Sequence, residues 1–171
     1  PAFEVALRLG AYFAGAPAEV HAVLSAYSEA LGIAYQIADD LEDFQSGPGG
    51  DLAALRPSLI LAIAHKRAAE GPERALIEAL WRREASASEH ATELQRILAE
   101  RGVLQKAREL RAAYEQEAVH SLRTLANPTL KGLLRRVIGK IFGNEHLIEG
   151  YCSEFEARNA AGRAPLGAPA G

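Results

Sequence analysis

The sequence has 171 residues, of which 49% are hydrophobic and 24% are charged, and its formal net charge at pH 7 is -3. This length is enough to bury a hydrophobic core as one domain or as part of a larger one. The small net charge and the lack of a basic block argue against a nucleic-acid partner. No apolar run reaches the roughly 18 residues that a membrane span needs. Cys152 is the single cysteine, which excludes an internal disulfide framework and favours a reducing, cytoplasmic location.

Alanine and leucine dominate the sequence and aromatic residues make up only 6%, a composition that favours helices. Apolar periodicity and capping residues predict helices over 1–15, 17–44, 57–69, 72–83, 86–102, 103–127, 128–143 and 145–160. Serines near the start of the fifth helix are expected to cap it. The glycines and proline of 45–51 predict a loop, and 161–171 is expected to be a disordered tail or linker. The sequence therefore predicts an all-α fold of antiparallel helices joined by short turns.

The second predicted helix carries a concentrated acidic stretch within YQIADDLEDF, residues 35–44. At about 100° per residue, Gln36, Asp39 and Asp43 fall within about 60° on one face, and Asp40 lies beside them. Apolar side chains occupy most of the remaining circumference, which predicts a largely buried helix. Carboxylates on a buried helix need a cation, a buried partner or a water-filled cavity. Oxygen ligands of this kind suit Mg²⁺, usually shared with substrate phosphates.

An alternative interpretation is that the acidic stretch is simply a helix end that emerges into solvent. Glu42 fits this alternative, because it does not lie on the face shared by Gln36, Asp39 and Asp43. Gly32 and Gln36 fit it less well, since both lie a turn or more inside the apolar stretch.

The stretch GIAYQIADDLEDF resembles the second aspartate-rich motif of the trans-isoprenyl diphosphate synthases, the polyprenyl synthetase family. The matching positions are Gly32, Tyr35, Gln36, Asp39, Asp40 and Asp43. Downstream, GGDLAALRPS is similar to the family's glycine-rich turn and Asp-Leu pair, here Asp51 and Leu52, followed by a lysine and a threonine. Arg56 and Ser58 occupy the lysine and threonine positions. The similarity in pattern extends over about 1–143, which would be the C-terminal part of the family domain.

The resemblance implies an antiparallel helical bundle of the isoprenoid synthase type that lacks its N-terminal helices. Residues 144–160, to which the resemblance does not extend, are expected to add a C-terminal helix. The resemblance also implies a Mg²⁺-dependent prenyltransferase that joins an allylic diphosphate head to tail to isopentenyl diphosphate, working as a homodimer. By the family pattern, Asp39 is the main metal ligand, and Asp40 and Asp43 assist directly or through metal-bound water.

The same resemblance implies roles for three polar residues beside the metal site. Gln36 would offer its amide to the diphosphate or its carbonyl dipole to the allylic cation, and Ser58 would place a hydroxyl near that cation. These two residues and Asp39 form the predicted catalytic set. Arg56 would bind the allylic diphosphate, because a guanidinium matches phosphate oxygens. The plainer alternatives are that Arg56 is a solvated residue before Pro57 and that Ser58 is a helix cap.

The sequence also departs from the family pattern. It contains no first aspartate-rich motif, the 45–51 loop lacks the usual lysine, and arginine and lysine are not equivalent at a shaped site. We therefore expect a fragment of a synthase that is inactive alone. The alternatives are a non-catalytic helical subunit that partners a catalytic chain, and a terpene-cyclising relative.

Two further groups of residues are expected to have no catalytic role. The five histidines are scattered without the spacing of zinc ligands, so solvated or core positions are expected. Lys131, Arg135 and Arg136 form a basic patch on one helix, and such a patch predicts a solvated face.

Overall fold

The computed structural model describes residues 2–45 and 58–143. Over these two ranges the chain forms seven α-helices, one short 3₁₀ helix and no strand. The helices α1 to α7 are Ala2–Phe13, Ala18–Gln45, Leu59–Arg67, Pro72–Trp81, Ala91–Glu100, Val103–Ser121 and Pro128–Phe142, and the 3₁₀ helix is Leu122–Thr124. The all-α prediction is confirmed. No helix within the described ranges is both long and apolar enough to pass through a bilayer. The predicted helix at 145–160, the tail and most of the glycine loop lie outside the described residues.

Several helix boundaries differ from the prediction, and local contacts explain two of them. Helix α4 ends at Trp81 rather than at Arg83, because Arg83 has a positive φ of 61° that ends the helical path. The prediction that serines cap α5 is wrong. The hydroxyls of Ser86 and Ser88 instead hydrogen-bond to each other at 2.7 Å, and the helix begins only at Ala91.

The described chain divides into two compact units. One comprises residues 2–28 and 117–143, and the other comprises residues 29–45 and 58–116. Helices α2 and α6 each run from one unit into the other. The acidic stretch of α2 and the start of α3 both belong to the second unit.

Apolar side chains from α2, α3, α4, α5 and the first half of α6 form the core of the second unit. Its buried members are Ile37, Leu41, Ile60, Ile63, Ala64, Ile77, Leu80, Ala87, Leu94, Ile97, Leu98, Val103 and Ala107. Ile33 and Phe44 of α2 pack against this cluster while remaining partly exposed. The core therefore fixes which side of α2 faces inward.

The first unit contains buried polar groups that are matched to backbone partners. The fully buried Tyr27 donates its hydroxyl hydrogen to the carbonyl oxygen of Leu134 at 2.8 Å. Burial raises the pKa of Tyr27 well above its ordinary value. The phenol therefore acts as a neutral hydrogen-bond donor within the core.

The predicted solvated basic patch on α7 is wrong for two of its three residues. Lys131 and Arg135 are each only 7% exposed, whereas Arg136 is exposed. The Lys131 ammonium donates to the carbonyl oxygen of Arg123 at 3.1 Å. Long basic side chains can bury their aliphatic stems when the charged end finds an acceptor.

The Glu73 carboxylate of α4 contacts the turn before α4, an arginine of α5 and an arginine just after α5. The Glu73 side chain, 14% exposed, accepts from Nη2 of Arg101 at 2.9 Å and lies 3.4 Å from Nη2 of Arg96. It also accepts the Ala69 N–H at 3.2 Å. Burial alone would raise the pKa of Glu73, but the Ala69 hydrogen bond and the two arginines outweigh it and lower this pKa.

We expect Glu73→Gln to weaken the pH dependence of stability. Because the folded-state pKa of Glu73 lies below its ordinary 4.5, its contribution is full above that value. The contribution disappears as pH falls through the lowered pKa. The variant should be less stable than wild type at about pH 7 and lose less stability between about pH 5 and about pH 3. Urea unfolding across this range measures both effects.

The matched control is Glu70→Gln, which also removes one acid beside α4. The Glu70 side chain is 92% exposed and pairs only loosely with Arg74 at 3.7 Å, so it should leave stability almost unchanged. If the two variants have the same free energy of unfolding across this pH range, the Glu73 contacts make no specific contribution to stability.

Candidate functional site

The acidic stretch occupies the last three turns of α2, and its face is set by the core on the other side. Ile37 and Leu41 are each 4% exposed and point into the core of the second unit. Gln36 and Asp39 are exposed, and Asp43 is half-buried on the same side. The shared polar face is thus confirmed, but the prediction of a helix buried almost all round is wrong. In the part of the chain that the structure describes, the face bearing Gln36 and Asp39 is open to solvent.

Asp40 lies to one side of this face and contacts a different helix. Its half-buried carboxylate accepts the backbone N–H of Leu59, the first residue of α3, with an N–O distance of 2.7 Å. Ser58, the N-cap of α3, accepts the Leu61 N–H on its hydroxyl oxygen at 3.3 Å. Two of the N–H groups that a helix start leaves unpaired therefore have side-chain partners.

The structure thus relates five of the six predicted site residues to one another. Gln36, Asp39, Asp40 and Asp43 lie on consecutive turns of α2, and Asp40 and Ser58 meet at the start of α3. The alternative interpretation of Ser58 as a helix cap is confirmed. Arg56 lies outside the described residues, so its predicted contact stays a prediction.

The family comparison is consistent with this geometry. The family model for polyprenyl synthetase matches residues 2–98, which is more than half of the chain. The chain belongs to the polyprenyl synthetase family. The match includes all of α2 and the start of α3, and it ends within α5. A comparison with curated proteins finds no match.

Polyprenyl synthetases are generally Mg²⁺-dependent and bind allylic and isopentenyl diphosphates. Among the described residues, no three acidic, histidine or cysteine side chains converge on one point as a ready-made metal site. Asp39 and Asp43, one turn apart, offer only oxygen donors. This donor set fits Mg²⁺, which commonly binds one or two carboxylates and takes its other ligands from water and phosphate.

The structure also shows a polar pair that sequence patterns did not reveal. Nε2 of His65 lies 3.1 Å from Oε1 of Glu78, beside Trp81 and Arg82 in an open cavity of about 370 Å³. The hydrogen bond from His65 lowers the pKa of Glu78. The two residues are 13 positions apart on different helices, so helical periodicity carries no signal for the pair. Both side chains are almost half exposed, which fits the expected solvated histidine.

We expect Ser58→Ala to reduce the free energy of unfolding by about 1 kcal/mol, because the Leu61 N–H loses its capping partner. Ser58→Thr retains the hydroxyl and should stay close to wild type. Urea unfolding of the three proteins measures the difference. Equal stability of Ser58→Ala and wild type would show that the cap contributes little in solution.

Proposed function

We propose that this polyprenyl synthetase is a prenyltransferase that makes linear isoprenyl diphosphates. It would condense an allylic diphosphate head to tail with isopentenyl diphosphate in a Mg²⁺-dependent reaction. The main support is the acidic turn of α2, inside the family match, with Gln36 and Asp39 accessible on one face beside the start of α3. A solvated helix end would share this exposure, but the family match favours a diphosphate site.

In this proposal the carboxylates bind the metal through which the diphosphate is held. Asp39 is the main ligand, because it is the exposed one of the three motif aspartates. Asp43, one turn further along the same face, assists directly or through metal-bound water. The resemblance assigns an assisting role to Asp40 as well. When bound, Mg²⁺ would neutralise the charge that develops on the departing diphosphate.

The reaction begins when the bond between the allylic carbon and the diphosphate oxygen breaks, and its electron pair leaves with the oxygen. The double bond of isopentenyl diphosphate then attacks the allylic cation, and a proton is lost from the carbon beside the new cation. The exposed amide of Gln36 can donate to the diphosphate or turn its carbonyl dipole towards the cation. Arg56 would contact the allylic diphosphate through its guanidinium.

Ser58 can serve this chemistry and cap α3 at the same time. Its hydroxyl oxygen accepts the Leu61 N–H, which does not use the hydroxyl's own hydrogen. The oxygen's second lone pair also stays available to stabilise a neighbouring cation. The cap would therefore hold the Ser58 side chain in place, and its hydroxyl hydrogen and second lone pair would stay available to the substrate.

Assembly and location are proposed as well. The homodimer is proposed from the family resemblance. The cytoplasmic location is proposed from the lone Cys152, because a reducing compartment keeps thiols free.

We expect an allylic thiodiphosphate, an analogue that resists ionisation, to bind the protein only when Mg²⁺ is present. Asp39→Ala should weaken this binding by roughly tenfold or more, since metal neutralisation of the diphosphate is worth several kcal/mol. Isothermal titration calorimetry with and without Mg²⁺ measures both effects. Glu42→Ala is the matched control, because Glu42 is an exposed acid on the same turn but off the shared face.

If the affinity for the analogue is the same without Mg²⁺ and in Asp39→Ala, the proposed site is refuted and a non-catalytic subunit is favoured. Equal losses in Asp39→Ala and Glu42→Ala would indicate a general charge effect and count against a defined metal site.

A further inference from the structure

We propose that Asp40 is a positioning residue, which anchors the start of α3 to the acidic turn of α2 and does not bind the metal. The inference rests on the proposed function, because the groups it positions are those of the proposed diphosphate site. It separates Asp40 from Asp39 and Asp43, which the sequence motif groups together.

The first step is the contact itself. Oδ2 of Asp40 accepts the Leu59 N–H at 2.7 Å in a partly buried setting, the short distance of a charge-assisted hydrogen bond. Leu59 is the first residue of α3, so its N–H has no partner within the helix. The bond joins residues 19 positions apart in the sequence, one in each part of the family motif.

The second step is electrostatic. The N-terminus of a helix carries a partial positive charge, which favours an anion and disfavours a cation. The Asp40 carboxylate occupies this position at α3. A Mg²⁺ ion on the same oxygen would share it with the Leu59 N–H and would face the positive end of the helix, which disfavours a cation there. Asp39, by contrast, is exposed and lies about 100° away around α2.

The third step concerns what the anchor holds. Ser58 directly precedes Leu59, and its hydroxyl is fixed on the Leu61 N–H of the same turn. By fixing Leu59, Asp40 sets where the Ser58 hydroxyl lies relative to the Asp39 carboxylate. Loss of the anchor would displace the Ser58 hydroxyl. This would weaken substrate binding although every group that contacts the substrate is still present.

The test compares Asp40→Ala, Asp40→Asn and Asp39→Asn in Mg²⁺-dependent binding of the allylic thiodiphosphate. Asparagine keeps an oxygen that can accept the Leu59 N–H but carries no charge. Asp40→Ala should bind about tenfold more weakly than wild type, because the start of α3 is no longer anchored and the Ser58 hydroxyl is displaced. Asp40→Asn should recover most of that loss. Asp39→Asn should not recover binding, because a metal ligand needs its charge.

Two outcomes would overturn the inference. Asp40→Asn binding as weakly as Asp39→Asn would make Asp40 a metal ligand. Wild-type binding by Asp40→Ala would show that the anchor positions nothing. If circular dichroism shows that Asp40→Ala does not fold, the comparison of Asp40→Asn with Asp39→Asn still distinguishes a positioning residue from a metal ligand. Glu42→Gln corrects for the loss of one negative charge on this turn.

Amide hydrogen exchange at Leu59 tests the anchor independently of any ligand. We expect the Leu59 N–H to be protected in wild type and Asp40→Asn and to exchange faster in Asp40→Ala. If the Leu59 N–H is equally protected in all three proteins, Asp40 does not anchor it and the inference is overturned. If the anchor is present but wild type binds no diphosphate analogue, the proposed function fails and the contact stands as a structural one.

Discussion

The packing of α2 against the core of the second unit is the constraint on which the candidate site depends. Ile37 and Leu41 are held inside that core, so the helix has no freedom to rotate about its axis. Since residues three and four apart share a face, fixing these apolar positions also fixes the direction of Gln36, Asp39 and Asp43. The hydrophobic side of one helix thereby determines the geometry of its polar side.

The position of the acids along α2 has an energetic consequence. They lie at the C-terminal end of a 28-residue helix whose last turn has no basic residue. The C-terminus of a helix carries partial negative charge, so acids there lower the stability of the helix. The start of α3 compensates one of them by donating an N–H to Asp40. In the proposed site, a cation held by Asp39 and Asp43 would add further compensation at this end of the helix.

Much of the fold and the polar face could be predicted from local patterns. Apolar periodicity located the seven described helices, and the 100° rotation per residue located the acids opposite Ile37 and Leu41. Local signals were less reliable at helix starts. Ser86 and Ser88 satisfy each other, although isolated serines in that context are good caps.

Features that depend on distant parts of the chain could not be predicted in this way. The Asp40–Leu59 bond and the burial of Lys131 depend on which helices become neighbours. No single-helix period encodes that information. The aspartate motif was sufficient to suggest the family, but it assigns Asp40 and Asp43 the same assisting role, whereas the tertiary contact with Leu59 distinguishes Asp40.

The exposed end of α4 makes the two units distinguishable by spectroscopy. Trp81 is the single tryptophan of the sequence, it is 43% exposed, and it belongs to the second unit. Indole emission therefore reports on the unit that contains the acidic turn, whereas far-ultraviolet circular dichroism averages over the helices of both units. Where the two signals change at different denaturant concentrations, the two units unfold separately.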